Sequence, residues 1–137
     1  MKDVIESSEL LNIGLMRFQS LGADANTAPA EDLYGQVLQP IDDPELALSA
    51  TAGDTHEQAL FDSVDAIVLG EGYTPLATTL YDAYLYFKGN AVRDGNQEHS
   101  ARAISGSNFI SPIANACYPN SVVYLTDGEP ERDGAAD

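Results

Sequence analysis

Basic residues are scarce in this chain. Only 6 of its 137 residues are Lys or Arg, against 22 Asp or Glu, and the net charge is −16. Such a balance repels phosphate backbones and excludes nucleic-acid binding. Anionic membrane surfaces are disfavoured for the same reason. Divalent cations and basic partner surfaces are compatible with it, and most of the carboxylates are expected to form a solvated face. Cysteine is nearly absent. Cys117 is the single one, so no disulfide forms within these residues. The two histidines, His56 and His99, lie far apart without metal-ligand spacing, which argues against a zinc site. No apolar run approaches the roughly 20 residues that cross a bilayer. The opening Met1-Lys2-Asp3-Val4-Ile5-Glu6 lacks the apolar core of a signal peptide.

What is present is enough for a packed core. Hydrophobic residues make up 44% and charged residues 20%. That is the composition of a folded domain, not of a disordered polyelectrolyte. The length fits one domain or part of one.

Periodicity predicts alternating helices and strands. Met1, Val4, Ile5 and Leu11 fall near helical spacing. Asn12-Ile13-Gly14-Leu15-Met16-Arg17-Phe18 follows at once and reads as a buried parallel strand. A helix running into a buried strand is the second half of a βαβ unit, so the first strand is expected to be missing. Residues 33–41 read as a short edge strand ended by Pro40. Asp42-Asp43-Pro44 marks a turn.

A second helix is signalled at Asp54-Thr55, where Glu57 or Gln58 completes a capping box. Leu60, Phe61, Val64, Ile67 and Val68 form its apolar face. Thr74-Pro75 opens a third helix, with threonine as cap and proline in the first turn. Its apolar stripe is Leu76, Leu80, Ala83, Tyr84 and Phe87, and Gly89-Asn90 ends it. Residues 19–53 and 90–119 read as loop or insertion segments. Ser121-Val122-Val123-Tyr124-Leu125-Thr126 is the second clear buried strand, with Asp127-Gly128 at its carboxyl end.

This order predicts an α/β fold: a mainly parallel sheet with helices on both faces. Ligands of such sheets collect beyond the carboxyl ends of the strands, where Asp127 lies. Thr74, at a helix N-terminus after a glycine-rich turn, can face the same crevice. One hydroxyl and one carboxylate are part of what a hard cation such as magnesium requires. The plainer readings are that Thr74 only caps its helix and that Asp127 only shapes a turn.

Gly72-Tyr73-Thr74-Pro75-Leu76 resembles the Gly-x-Thr-Pro-Leu turn of von Willebrand factor A-type domains. Val122-Val123-Tyr124-Leu125-Thr126-Asp127-Gly128 resembles the strand ending in Thr-Asp-Gly of the same family. Leu80-Tyr81-Asp82-Ala83-Tyr84-Leu85-Tyr86-Phe87-Lys88-Gly89, Ser111-Pro112-Ile113 and Cys117 resemble the PilY-type proteins of type IV pilus biogenesis.

The resemblance implies a Rossmann-like domain over 1–137, with the first strand and closing elements missing. It implies a metal-ion-dependent adhesion site in which Thr74 and Asp127 are ligands of Mg2+ (or Ca2+ or Mn2+). The family's Asp-x-Ser-x-Ser motif is absent, so the ion is expected to be held weakly. The implied partner is a protein, such as a pilus component or a host-surface protein, and the setting is the cell surface or the secreted space. Cys117 then has three readings: a buried apolar residue, a catalytic thiol, for which no nearby base is evident, or half of a disulfide to a residue outside this stretch.

Two alternatives stand beside that one. An intracellular A-domain assembly factor working with an ATPase would share the motifs. A calcium-binding acidic loop would use Asp127, Glu129, Glu131 and Asp133, but Arg132 occupies the position where such a loop requires glycine. No base, nucleophile and oxyanion-donor set supports an enzyme.

Overall fold

The computed structural model describes residues 11–20, 33–51, 53–67, 74–93, 98–113 and 119–126. The helix expected over the first residues, Cys117 and Asp127 lie outside these.

Two strands, β1 (Ile13–Ser20) and β2 (Leu33–Asp42), form an antiparallel pair. The register is regular from Met16↔Val37 to Ser20↔Leu33 and shifts at the Ile13 end. Helix α1 (His56–Asp65) and helix α2 (Leu76–Lys88) follow, and α2 packs across β2. A small hairpin, β3 (Ile104–Ser105) with β4 (Asn108–Phe109), comes last. The core joins Val37 of β2, Leu85 and Tyr86 of α2, Ala103 and Phe109, with Met16 and Ile41 at its margin.

Local chemistry explains most boundaries. Asp43 closes the turn after β2: its carbonyl accepts from Leu46 N–H at 3.0 Å and its carboxylate from Glu45 N–H at 2.9 Å. Thr55 caps α1, its hydroxyl accepting from Gln58 N–H at 3.3 Å. The Gln58 side chain does not close a capping box, because it bonds Asp62 instead at 2.8 Å. Gly89 ends α2 in the left-handed region, at φ 66°.

The parallel α/β expectation is overturned. Among the described residues the sheets are two antiparallel pairs, and none is parallel. The structure is therefore not Rossmann-like. β1 exists where expected, but its ladder partner is the oppositely running β2. An apolar run reports burial, and it cannot report the direction of the neighbouring strand. The stretch 121–126 joins no ladder, and Val123 is 81% exposed.

The stripe expected on α2 is also displaced. Leu80 and Tyr84 face solvent, while Thr79, Asp82, Ala83 and Tyr86 are buried. The small side chains of Thr79 and Ala83 let the helix approach the sheet closely at Gly35. A Cβ on Gly35 would lie 2.9 Å from Thr79 Cγ2 and 3.1 Å from its Cα. Larger residues on that face would hold the helix away, so the bulkier Leu80 and Tyr84 turn outward.

Within the segment read as a polar connection, Ala103 and Phe109 are core residues and His99 is buried. No helix among the described residues is long and apolar enough to cross a membrane.

Candidate functional site

Thr74 stands just before the first turn of α2. It does not cap the helix. The cap position is Pro75, and no side chain bonds the exposed amides there. The Thr74 carbonyl accepts from Leu76 N–H at 2.9 Å, while its hydroxyl has no hydrogen-bond partner among the described residues. The residue is half-buried. The capping role expected from the Thr-Pro pair fails because the chain enters the helix one residue later, at Pro75.

The stretch 121–126 passes beside this turn. Tyr124 fixes it there: its hydroxyl donates to the Leu76 carbonyl at 2.9 Å. The Tyr124 ring also meets the edge of Phe18 of β1, centroids 5.5 Å apart at 62°. One aromatic side chain thus ties 121–126 to both α2 and β1. Asp127, three positions on, lies outside the described residues. No group of three or more His, Cys, Asp or Glu that suits a metal occurs among the described residues.

Two buried polar networks were not legible in the sequence. The first centres on Asp82, which is fully buried. Its carboxylate takes Arg93 in a two-pronged pair, Nε to Oδ1 and Nη2 to Oδ2, both 2.6 Å. It also accepts from Gly35 N–H at 2.8 Å. His99 lies close by, its Nδ1 accepting from Val37 N–H at 3.0 Å. Burial pushes the His99 pKa down to about 4, with Asp82 opposing the shift and Arg93 adding to it.

The second network centres on His56, also fully buried. Its Nε2 donates to the Ile13 carbonyl at 2.8 Å, and its Nδ1 accepts from Arg102 Nη1 at 3.1 Å. Arg102 in turn holds Asp42 at 2.8 Å. Tyr86 donates nothing to these two; its hydroxyl accepts from Ile41 N–H at 2.8 Å. Burial raises the Tyr86 pKa, the Ile41 bond opposes this, and Asp42 adds to it.

These groups have a common effect on β2. Gly35, Val37 and Ile41 offer N–H groups on the edge away from β1, and Asp82, His99 and Tyr86 accept them. The Val37 carbonyl on that edge accepts from Ser100 N–H at 2.8 Å. Side chains and a loop thus take the place of a third strand. The only sequence signal was an acid, Asp82, among the apolar residues of α2, and two isolated histidines.

A cavity of about 220 Å³ lies over the sheet face, between β1, β2, α2 and 121–125. Met16, Phe18, Ala83, Phe87 and Val122 are among its walls, and none of its lining residues is charged.

No protein-family model, curated protein or solved structure matches this chain.

Proposed function

We propose that this chain is part of a cell-surface or secreted protein of type IV pilus assembly and adhesion, and that it binds a protein partner through a divalent cation held by Thr74 and Asp127. The reading rests on motifs and not on the fold, since the described residues form no parallel sheet of the kind that accompanies those motifs in von Willebrand A-type domains. Its main support is the Tyr124–Leu76 hydrogen bond. That bond draws together the two segments carrying the motifs: Leu76 is two positions after Thr74, and Tyr124 three positions before Asp127.

The donor chemistry fits a hard cation. The Thr74 hydroxyl is uncommitted among the described residues. Asp127 would add a carboxylate oxygen. Magnesium keeps several waters and needs few protein ligands. A carboxylate from the partner would complete the shell, so binding would depend on the ion and would involve no covalent step. The charge of −16 favours cation accumulation at the surface.

Calorimetric titration of magnesium into the chain tests the reading. Binding that weakens about tenfold, or 1.4 kcal/mol, in both Thr74→Ala and Asp127→Ala is expected. Unchanged affinity in either variant would remove that residue from the site, and no heat in the parent chain would refute the reading.

A further inference from the structure

The cavity over the sheet face is small, uncharged and rich in aromatic rings. Met16 and Phe18 of β1, Val37 and Ile41 of β2, and Ala83 and Phe87 of α2 line it, and 121–125 closes another side. Its volume is about 220 Å³. A dry apolar cavity of about 150 Å³ takes one benzene molecule. This one has room for a single ring with a short substituent, on the order of eight non-hydrogen atoms.

One polar group on the cavity wall is uncommitted. The Gln39 amide bonds Ser63 and Arg102, at 3.1 and 3.4 Å. The Tyr86 hydroxyl accepts from Ile41 N–H at 2.8 Å, and the Tyr124 hydroxyl donates to the Leu76 carbonyl at 2.9 Å. Ser121 is exposed, so water satisfies it. Thr79 differs. It is 3% exposed, and its hydroxyl has no hydrogen-bond partner among the described residues. A buried hydroxyl without a partner is costly, and a ligand group that bonds it removes that cost.

We infer that this cavity is a binding site for a small neutral aromatic molecule carrying one hydroxyl group, its ring held between the apolar walls and its hydroxyl bonded to Thr79. Neutrality follows from the walls. None of them is charged, so a carboxylate or an ammonium would lose its water and gain no counter-charge. The ring follows from Phe18, Tyr86, Phe87 and Tyr124, which offer edge and offset contacts to a fifth ring. Entry is from the side of 121–125, where Val123 and Leu125 are 81% and 65% exposed and no described strand pairs with the segment. Neither Thr74 nor Asp127 takes part, so the site is independent of the cation reading.

Calorimetric titration of p-cresol into the whole chain tests the site. Saturable binding is expected, with shifts at the methyl signals of Met16, Val37, Ile41 and Ala83. p-Xylene has a methyl group in place of the hydroxyl and should bind about fivefold more weakly. Benzoate, ionised at neutral pH, should bind at least about tenfold more weakly than p-cresol. 1-Heptanol, a chain of similar size, should also bind more weakly. Thr79→Val should lower p-cresol to the p-xylene level and leave p-xylene unchanged, whereas a merely structural role would change both. Ala83→Leu fills the cavity and should abolish both; where that variant does not fold, the Thr79→Val comparison still decides.

Absence of p-cresol binding, or shifts confined to other residues, would overturn the site. Equal affinity for p-cresol and p-xylene, or p-cresol affinity unchanged in Thr79→Val, would overturn the hydroxyl contact. Benzoate or 1-heptanol binding as tightly as p-cresol would overturn the ligand class. Nuclear Overhauser contacts from another segment of this chain to the Met16 and Ala83 methyl groups, seen without p-cresol, would make the chain itself the occupant and overturn the proposal. Magnesium binding is read separately, so failure here leaves the cation reading standing, and the converse holds too.

Discussion

The backbone N–H of Val37 donates to Nδ1 of His99 at 3.0 Å, across 62 positions of sequence. That one bond fixes the tautomer: the acceptor nitrogen is bare, so the proton sits on Nε2. Nε2 is buried with no hydrogen-bond partner among the described residues, and the ring stands edge-on to Phe109 with centroids 4.6 Å apart. The ring must stay neutral to do this, and its pKa of about 4 allows it to.

A pH dependence follows. The unfolded ring titrates near 6.5 and the folded ring near 4. The unfolded chain therefore takes up the proton first as pH falls. Stability from this group is complete above about 6.5, declines between 6.5 and 4, and levels off below. Its size is about 3 kcal/mol. Urea denaturation at a series of pH values reads the slope, and His99→Asn, which keeps an acceptor for Val37, should flatten it in that window.

Asp82 is fully buried and accepts three hydrogen bonds, two from Arg93 and one from Gly35. Asp82→Ala would leave the guanidinium and a strand amide without this acceptor. The loss should be about 3–5 kcal/mol, enough to unfold a marginal domain. Asp82→Asn keeps an acceptor and should lose less. Thermal denaturation followed by circular dichroism ranks the two.

Thr79 offers a change in the other direction. Its hydroxyl is buried and has no hydrogen-bond partner among the described residues. Thr79→Val keeps the shape and removes the unsatisfied group, so the denaturation midpoint should rise, by about 1 kcal/mol of stability.

Gly35 sits where α2 comes closest to the sheet. A methyl group there would meet Met16 Cε, which can move, and the Thr79 backbone, which moves only with the helix. Gly35→Ala should cost about 1–3 kcal/mol. The paired change with Thr79→Ala should recover part of it, because the Cγ2 at 2.9 Å is then gone.

The sequence revealed the local elements better than their partners. The first strand, the Thr55 cap and the Gly89 stop follow from periodicity, hydroxyl capping and glycine conformation; β2 was expected only as a short edge strand ended by Pro40 within a loop segment, and it runs through Pro40 to Asp42. Strand direction did not follow, because the apolar run at β1 is compatible with either neighbour. The stretch 121–126 has the β-branched composition of a buried strand, yet a ladder needs a pairing neighbour, and no described strand pairs with it. The face of α2 was misassigned because Leu80 and Tyr84 are more apolar than Thr79 and Asp82. Close approach at Gly35 and the Arg93 pair outweigh that difference. Of the candidate site, Thr74 was legible as a feature of the helix start, but its uncommitted hydroxyl was not. The buried acid and histidines were hidden because a count of carboxylates cannot identify the one with a partner.

Whether Thr74 and Asp127 share one ion is most directly read with manganese, whose unpaired electrons broaden nearby amide signals. Substoichiometric Mn2+ should broaden Thr74, Leu76 and Thr126 together, spare Gly89 and Gly106, and lose its effect when excess magnesium is added. Broadening confined to one of the two segments, or spread evenly over the acidic surface, would contradict the shared site.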